Sequence, residues 1–133
     1  MARAKRLAIG LLAQAASTYG AGLKDAQEVQ AQIADVVIEA YATESGIARA
    51  EKMALRGDSR AALAGDAIRV YASEASDRVA AAAKLITAAL EAEGVDRSIT
   101  AAAQRLAGHA AVDVIAARRR IADAVIEAGR YIF

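Results

Sequence analysis

The sequence predicts an all-α fold: an antiparallel up-and-down four-helix bundle with a short connecting helix. Three observations carry this. Alanine, the best helix former, supplies 39 of 133 residues, and proline, the worst, is absent. Large apolar residues recur in steps of three and four, the period of a helix rather than a strand. Glycine supplies almost every break between the periodic segments. Aromatic residues make up only 4% of the chain, and β-branched residues are sparse, so a sheet is disfavoured. The length fits a single helical-bundle domain spanning 1–133, large enough to bury a core.

The first helix is expected from about Ala4 to Tyr19, stopped by Gly20-Ala21-Gly22. The second opens near Asp25, read as its N-cap, and continues to Arg56. Its apolar stripe is Val29, Ile33, Val36, Val37, Ala40, Tyr41, Ile47, Ala48 and Leu55. Gly57 is placed just past that helix, with Asp58 or Ser59 capping the next. The third helix is expected over about Arg60 to Glu93, with Leu63, Ala67, Val70, Tyr71, Leu85, Ile86 and Leu90 on its apolar face. Gly94 ends it. A short helix from about Arg97 to Leu106 is ended by Gly108. The last begins near Asp113, again a cap, runs to about Gly129, and is lined by Val114, Ile115, Ile121, Val125 and Ile126. Two central helices of about 30 residues, each ~45 Å long at 1.5 Å per residue, stay compact only by packing antiparallel. Residues i and j of that pair then meet where i and j sum to about 115.

The amino-terminal outline, Arg3, Lys5 and Arg6 before a charge-free run from Leu7 to Leu23, is that of a secretory signal. Gln14, Ser17 and Thr18 interrupt the run, and it is too short and too polar to span a bilayer. It is read as an ordinary buried helix, with an interfacial membrane helix as the alternative. The start at Met1-Ala2 suits an excised domain or a free-standing gene product alike.

The chemical inventory is thin. Without cysteine there is no disulfide framework and no thiolate metal site, which suits a reducing, cytoplasmic setting. A net charge of +1 gives no basis for a nucleic-acid partner. The single histidine, His109, lies at a helix break, and residue 106 is Leu, so no Glu-x-x-His di-iron motif exists. His109 is read as capping a helix end or facing water. No glycine-rich phosphate loop occurs. Arg118-Arg119-Arg120 spreads around a helix, and Arg119 and Arg120 are expected to pair with Asp123. No catalytic, cofactor-binding or metal-binding residue is assigned.

The polar positions that stand out lie inside apolar stripes. Glu44 falls on the Val37–Ala40–Ile47 face, and Glu74 on the Ala67–Val70 face with Arg78 four residues later. Antiparallel packing places Glu44 near residue 71 and Glu74 near residue 41. The expectation is a structural polar cluster of Tyr41, Glu44, Tyr71, Glu74 and Arg78, because a charge within an apolar face needs a partner. Acid–base chemistry or an oxygen-ligand metal site is the less favoured use of the two carboxylates.

The stretch Gln27 to Lys52, QEVQAQIADVVIEAYATESGIARAEK, resembles the helical C-terminal domain added to a group of bacterial acyl-CoA dehydrogenases. The resemblance rests on Gln27-Glu28-Val29, Ala34-Asp35, Ile38-Glu39, Tyr41-Ala42, Glu44-Ser45 and Arg49-Ala50-Glu51-Lys52. It continues through Val70-Tyr71, Glu74-Ala75, Asp77-Arg78 and Arg118-Arg119, then Ile121-Ala122-Asp123 and Ile126-Glu127-Ala128. It covers about residues 5 to 131. Where the family carries a proline-containing turn before the last helix, this chain has Gly108-His109-Ala110-Ala111-Val112.

The resemblance implies a parent oxidoreductase, a flavoprotein of fatty acid metabolism that oxidises acyl-CoA to trans-2-enoyl-CoA with FAD. The flavin, the base and the acyl cavity belong to a larger core, so this chain is expected to be a non-catalytic accessory and packing domain with no cofactor of its own. Its implied partners are the acyl-CoA dehydrogenase core domains and further copies in a homo-oligomer, with peripheral membrane contact through the charge-free first helix. From other classes, a free-standing, phasin-like lipid-surface coat and a small ligand-binding bundle are the alternatives.

Overall fold

The structure, a computed structural model, describes residues 2–132. Those residues are 85% helical, and no strand occurs among them. The order is α1 (Ala2–Tyr19), a 3-10 segment (Gly20–Asp25), α2 (Gln27–Leu55), α3 (Ala61–Ala92), α4 (Arg97–Ala107) and α5 (Val114–Ala128). The all-helical expectation holds, and the helix bounds lie within about two residues of the expected ones at most ends. Asp25 is a correction. It does not cap α2, because the chain stays tightly wound through Gly20–Asp25, and α2 opens only at Gln27. The Gln30 side-chain amide donates to the Leu23 carbonyl at 2.5 Å and ties this segment to the first turns of α2.

The caps expected at Asp58 and Asp113 are present, and Asp96 adds one that the sequence reading did not name. Asp113 accepts from the Ile115 and Ala116 amides, Asp96 accepts from the Ser98 amide, and Asp58 accepts from the Arg60 amide. Gly57 and Gly94 adopt φ of +68° and +89°, which an L side chain resists. Each closes its helix with the same pair of bonds: Gly57 N–H to Ala54 O with Asp58 N–H to Met53 O, and Gly94 N–H to Glu91 O with Val95 N–H to Leu90 O.

The described residues fall into two compact units. The first holds the chain up to Tyr41 together with Ser76–His109. Its core is built from one face of each helix: Leu7, Leu11 and Ala15 of α1, Val29, Ile33 and Val36 of α2, Val79, Ala83, Ile86 and Leu90 of α3, and Ala107 of α4. The connecting helix α4 thus also closes a core. Arg3 Nη2 donates to the Arg105 carbonyl at 2.7 Å and fixes the start of α1 on the end of α4. The first helix is a buried helix on its inner face, and no helix among the described residues is long and apolar enough to cross a membrane.

The second unit holds Ala42–Ala75 and the residues from Ala110 onward. Thr43, Asp66, Ala75 and Ala117 are buried in it. The Ile68 side chain lies against the backbone of α2 where a Cβ on Gly46 would stand, so Gly46 allows a close approach of α2 and α3. In the first unit, Glu39 pairs with Arg78. Both pairings lie within about two positions of the antiparallel register expected from the sequence.

Several residues of the expected apolar stripes are exposed: Val37, Tyr41, Ile47 and Leu55 on α2, Leu85 on α3, and Ile115 and Ile126 on α5. The buried line of α2 runs Val29, Ile33, Val36, Ala40, Thr43, one residue and so about 100° around the helix from Val37 and Tyr41. Small residues fill the inner positions that side-chain size alone would give to larger neighbours. Gly65 sits within α3 with open space where a Cβ would go. Gly65→Ala is therefore expected to stabilise the chain by about 0.5–1 kcal/mol through helix propensity, as read from the urea midpoint.

Candidate functional site

Charged side chains join the helices within each unit. In the first, Nε and Nη2 of Arg78 donate to the two carboxylate oxygens of Glu39, at 2.5 and 2.9 Å, which is the fork geometry of a strong pair. His109 Nε2 lies 2.9 Å from an Asp77 carboxylate oxygen. The buried Thr87 hydroxyl donates to the Lys84 carbonyl and accepts from the Gln104 amide, both at 3.1 Å. The buried Thr100 hydroxyl faces the Glu91 carboxylate.

In the second unit, Asp66 is the hub. Arg120 of α5 grips both of its oxygens at 2.7 Å, and Arg69, one turn along α3, adds a third contact at 2.7 Å. The Arg120 hydrogen bond, with both guanidinium charges, holds the Asp66 carboxyl below the usual carboxylate range against the opposing effect of burial. Arg120 therefore crosses to α3 instead of pairing along its own helix with Asp123. Arg118 of the same run donates to Glu74 at 2.5 Å.

The five residues expected to form a polar cluster have these places. Tyr41 is 73% exposed in the first unit. Arg78 is engaged by Glu39 in that same unit. Glu44, Tyr71 and Glu74 belong to the second unit, all half-buried, with Glu74 on Arg118 and Tyr71 in the wall of a cleft. Glu39 and Asp66 were missed by sequence reasoning. Asp66 stands three residues after Leu63 and four before Val70, inside the apolar stripe of α3, which is the same signal that singled out Glu44 and Glu74.

The cleft in the second unit has a volume of about 730 Å³. Arg49, Lys52, Met53 and Arg56 of α2 form one side, Ile68 and Tyr71 of α3 another, with Asp58 and Arg60 from the intervening turn and Tyr131 completing the lining. Arg60 holds both oxygens of Asp58 at 2.8–3.0 Å, and the hydrogen bonds from its side chain and amide lower the Asp58 carboxyl to about 2. Among the described residues, no group of three or more His, Cys, Asp or Glu is placed to hold a metal ion.

Comparison with known proteins identifies the family. Residues 3–106 match the model for "Acyl-CoA dehydrogenase, C-terminal domain", well over half of the chain. The chain belongs to the acyl-CoA dehydrogenase C-terminal domain family. This domain is 31% identical over 130 residues to a Bacillus subtilis (strain 168) protein named "Probable acyl-CoA dehydrogenase", an alignment covering 97% of this chain and 22% of that protein. It also superposes with a TM-score of 0.87, at 30% identity, on an acyl-CoA dehydrogenase from Bacillus anthracis solved in complex with FAD, covering 98% of this chain and 23% of that one. The C-terminal-domain sequence thus spans less than a quarter of the length of these relatives. The lining of this cleft does not fit the flavin of FAD. A flavin ring needs an enclosed apolar or aromatic slot, whereas this cleft is open and mixes Met53, Ile68 and Tyr71 with the charged Arg49, Lys52, Arg56, Asp58 and Arg60.

Proposed function

We propose that this domain is a non-catalytic accessory and packing domain of an FAD-dependent acyl-CoA dehydrogenase, with the flavin and the dehydrogenation chemistry residing in the other domains of the assembly. The observation that carries the reading is the superposition of almost the whole chain on less than a quarter of an FAD-bound acyl-CoA dehydrogenase. The exposed apolar side chains support it. Ile9, Tyr41, Leu55, Leu85, Ile115 and Ile126 are large residues left in solvent by the chain alone, the kind of surface that packs on a partner. The partners are the dehydrogenase core domains and a second copy of the assembly, in the cytoplasm, with peripheral membrane contact through the outer residues Ile9 and Leu12 of α1. No nucleic acid is involved.

The test is a pair of measurements. The purified chain mixed with FAD and an acyl-CoA is expected to retain no flavin on desalting and to form no enoyl-CoA. A chimaera of the Bacillus subtilis relative, carrying this chain in place of its matching segment, is expected to keep whatever flavin and activity the relative has. Acyl-CoA oxidation by the isolated chain overturns the proposal.

A further inference from the structure

We infer that the cleft of the second unit is a binding site for the di- or triphosphate group of a small molecule. Four cations line it against one carboxylate, Asp58. That carboxylate is fully engaged by Arg60, which leaves Arg49, Lys52 and Arg56 as the charges facing the space. These three hold no carboxylate partner among the described residues, unlike Arg69, Arg78, Arg118 and Arg120, each committed to an acid. They recur at positions i, i+3 and i+7 of α2 and so stand on one face, spread over about 10 Å of helix. A chain of two or three phosphates meets successive cations at that spacing, and the planar forks of Arg49 and Arg56 suit bidentate contacts to phosphate oxygens. The volume, about 730 Å³, is that of a small-molecule site rather than of a groove for an extended peptide. The inference stands independently of the accessory-domain reading.

The experiment is calorimetric titration of the purified chain at constant ionic strength with inorganic phosphate, pyrophosphate, tripolyphosphate and a hexaglutamate peptide. Tripolyphosphate is expected to bind at least about tenfold more tightly than inorganic phosphate, with pyrophosphate between them. The double variant Arg49→Ala, Arg56→Ala is expected to lose at least about tenfold of the tripolyphosphate affinity. Both side chains are exposed, so helical content should be unchanged by circular dichroism. Arg119→Ala, a charge of the same unit outside the cleft lining, should bind as the parent does. Equal affinity for phosphate and tripolyphosphate, equal losses in the double variant and in Arg119→Ala, or hexaglutamate binding as tightly as tripolyphosphate each overturns the proposal.

Discussion

Leu90→Ala is expected to destabilise the chain by about 3 kcal/mol, within the usual 2–5 for a truncated core leucine. Leu55→Ala should cost under about 0.5 kcal/mol. Both leucines sit in long helices, and both belong to the apolar stripes read from the sequence. Leu90 is 1% exposed and buried in the core of the first unit. Its truncation removes both the transferred surface and the contacts around the space left behind. Leu55, the last residue of α2, is 88% exposed and gives up almost nothing. The helix closure at Gly94 uses the Leu90 backbone carbonyl, so it survives the change. The measurements are urea denaturation and thermal melting, both followed by far-ultraviolet circular dichroism, with a fall in Tm of roughly 10 °C or more for Leu90→Ala. Similar losses for the two variants would refute the assignment of the core.

That pair shows where sequence reading reaches and where it stops. Helix existence, the ends at Gly57 and Gly94, the capping aspartate at 113 and the antiparallel register all rest on local chemistry, and the structure has them. The rotation of each helix about its own axis does not rest on local chemistry. In an alanine-rich chain the inner line can be taken by Thr43 or Ala83 while Tyr41 or Leu85 faces out, because the smaller side chain permits closer helix packing. Stripe counting found the buried line of Val29, Ile33, Val36 and Ala40 but drew the stripe about 100° too wide, taking in Val37 and Tyr41. The charged pairs follow the same logic. Glu74, whose partner sequence spacing seeks one turn along its own helix, meets Arg118, 44 positions away, as well. Nothing local encodes which face of α5 meets α3. The family resemblance was legible in the Tyr41–Lys52 block, whereas the basic cleft became visible only when the turn at 58–60 folded Arg60 back onto Asp58.

The second large effect is expected at Asp66. Asp66→Ala should cost about 1–2 kcal/mol at neutral pH, the lower part of the range for hydrogen bonds to charged groups, because Arg69 and Arg120 are each about half in solvent. The loss falls on the second unit, where Asp66 fastens α5 to α3 through both oxygens. Its pH dependence has a definite sign. The folded carboxyl titrates below the ordinary Asp value of about 3.9, because Arg120 and Arg69 favour its charged form. The unfolded chain therefore binds a proton at a higher pH than the folded one. The stabilisation is fully present above that unfolded value and declines as pH falls from there through the folded value. Asp66→Asn keeps the shape but removes the titration, so the stability gap between parent and variant should be largest at pH 6–7 and shrink steadily below about pH 4. The gap is measured as the difference in urea unfolding free energy at a series of pH values. A gap that stays constant from pH 7 to pH 2.5 would show that Asp66 contributes through packing alone, and that the Arg120 bridge adds nothing to the docking of α5.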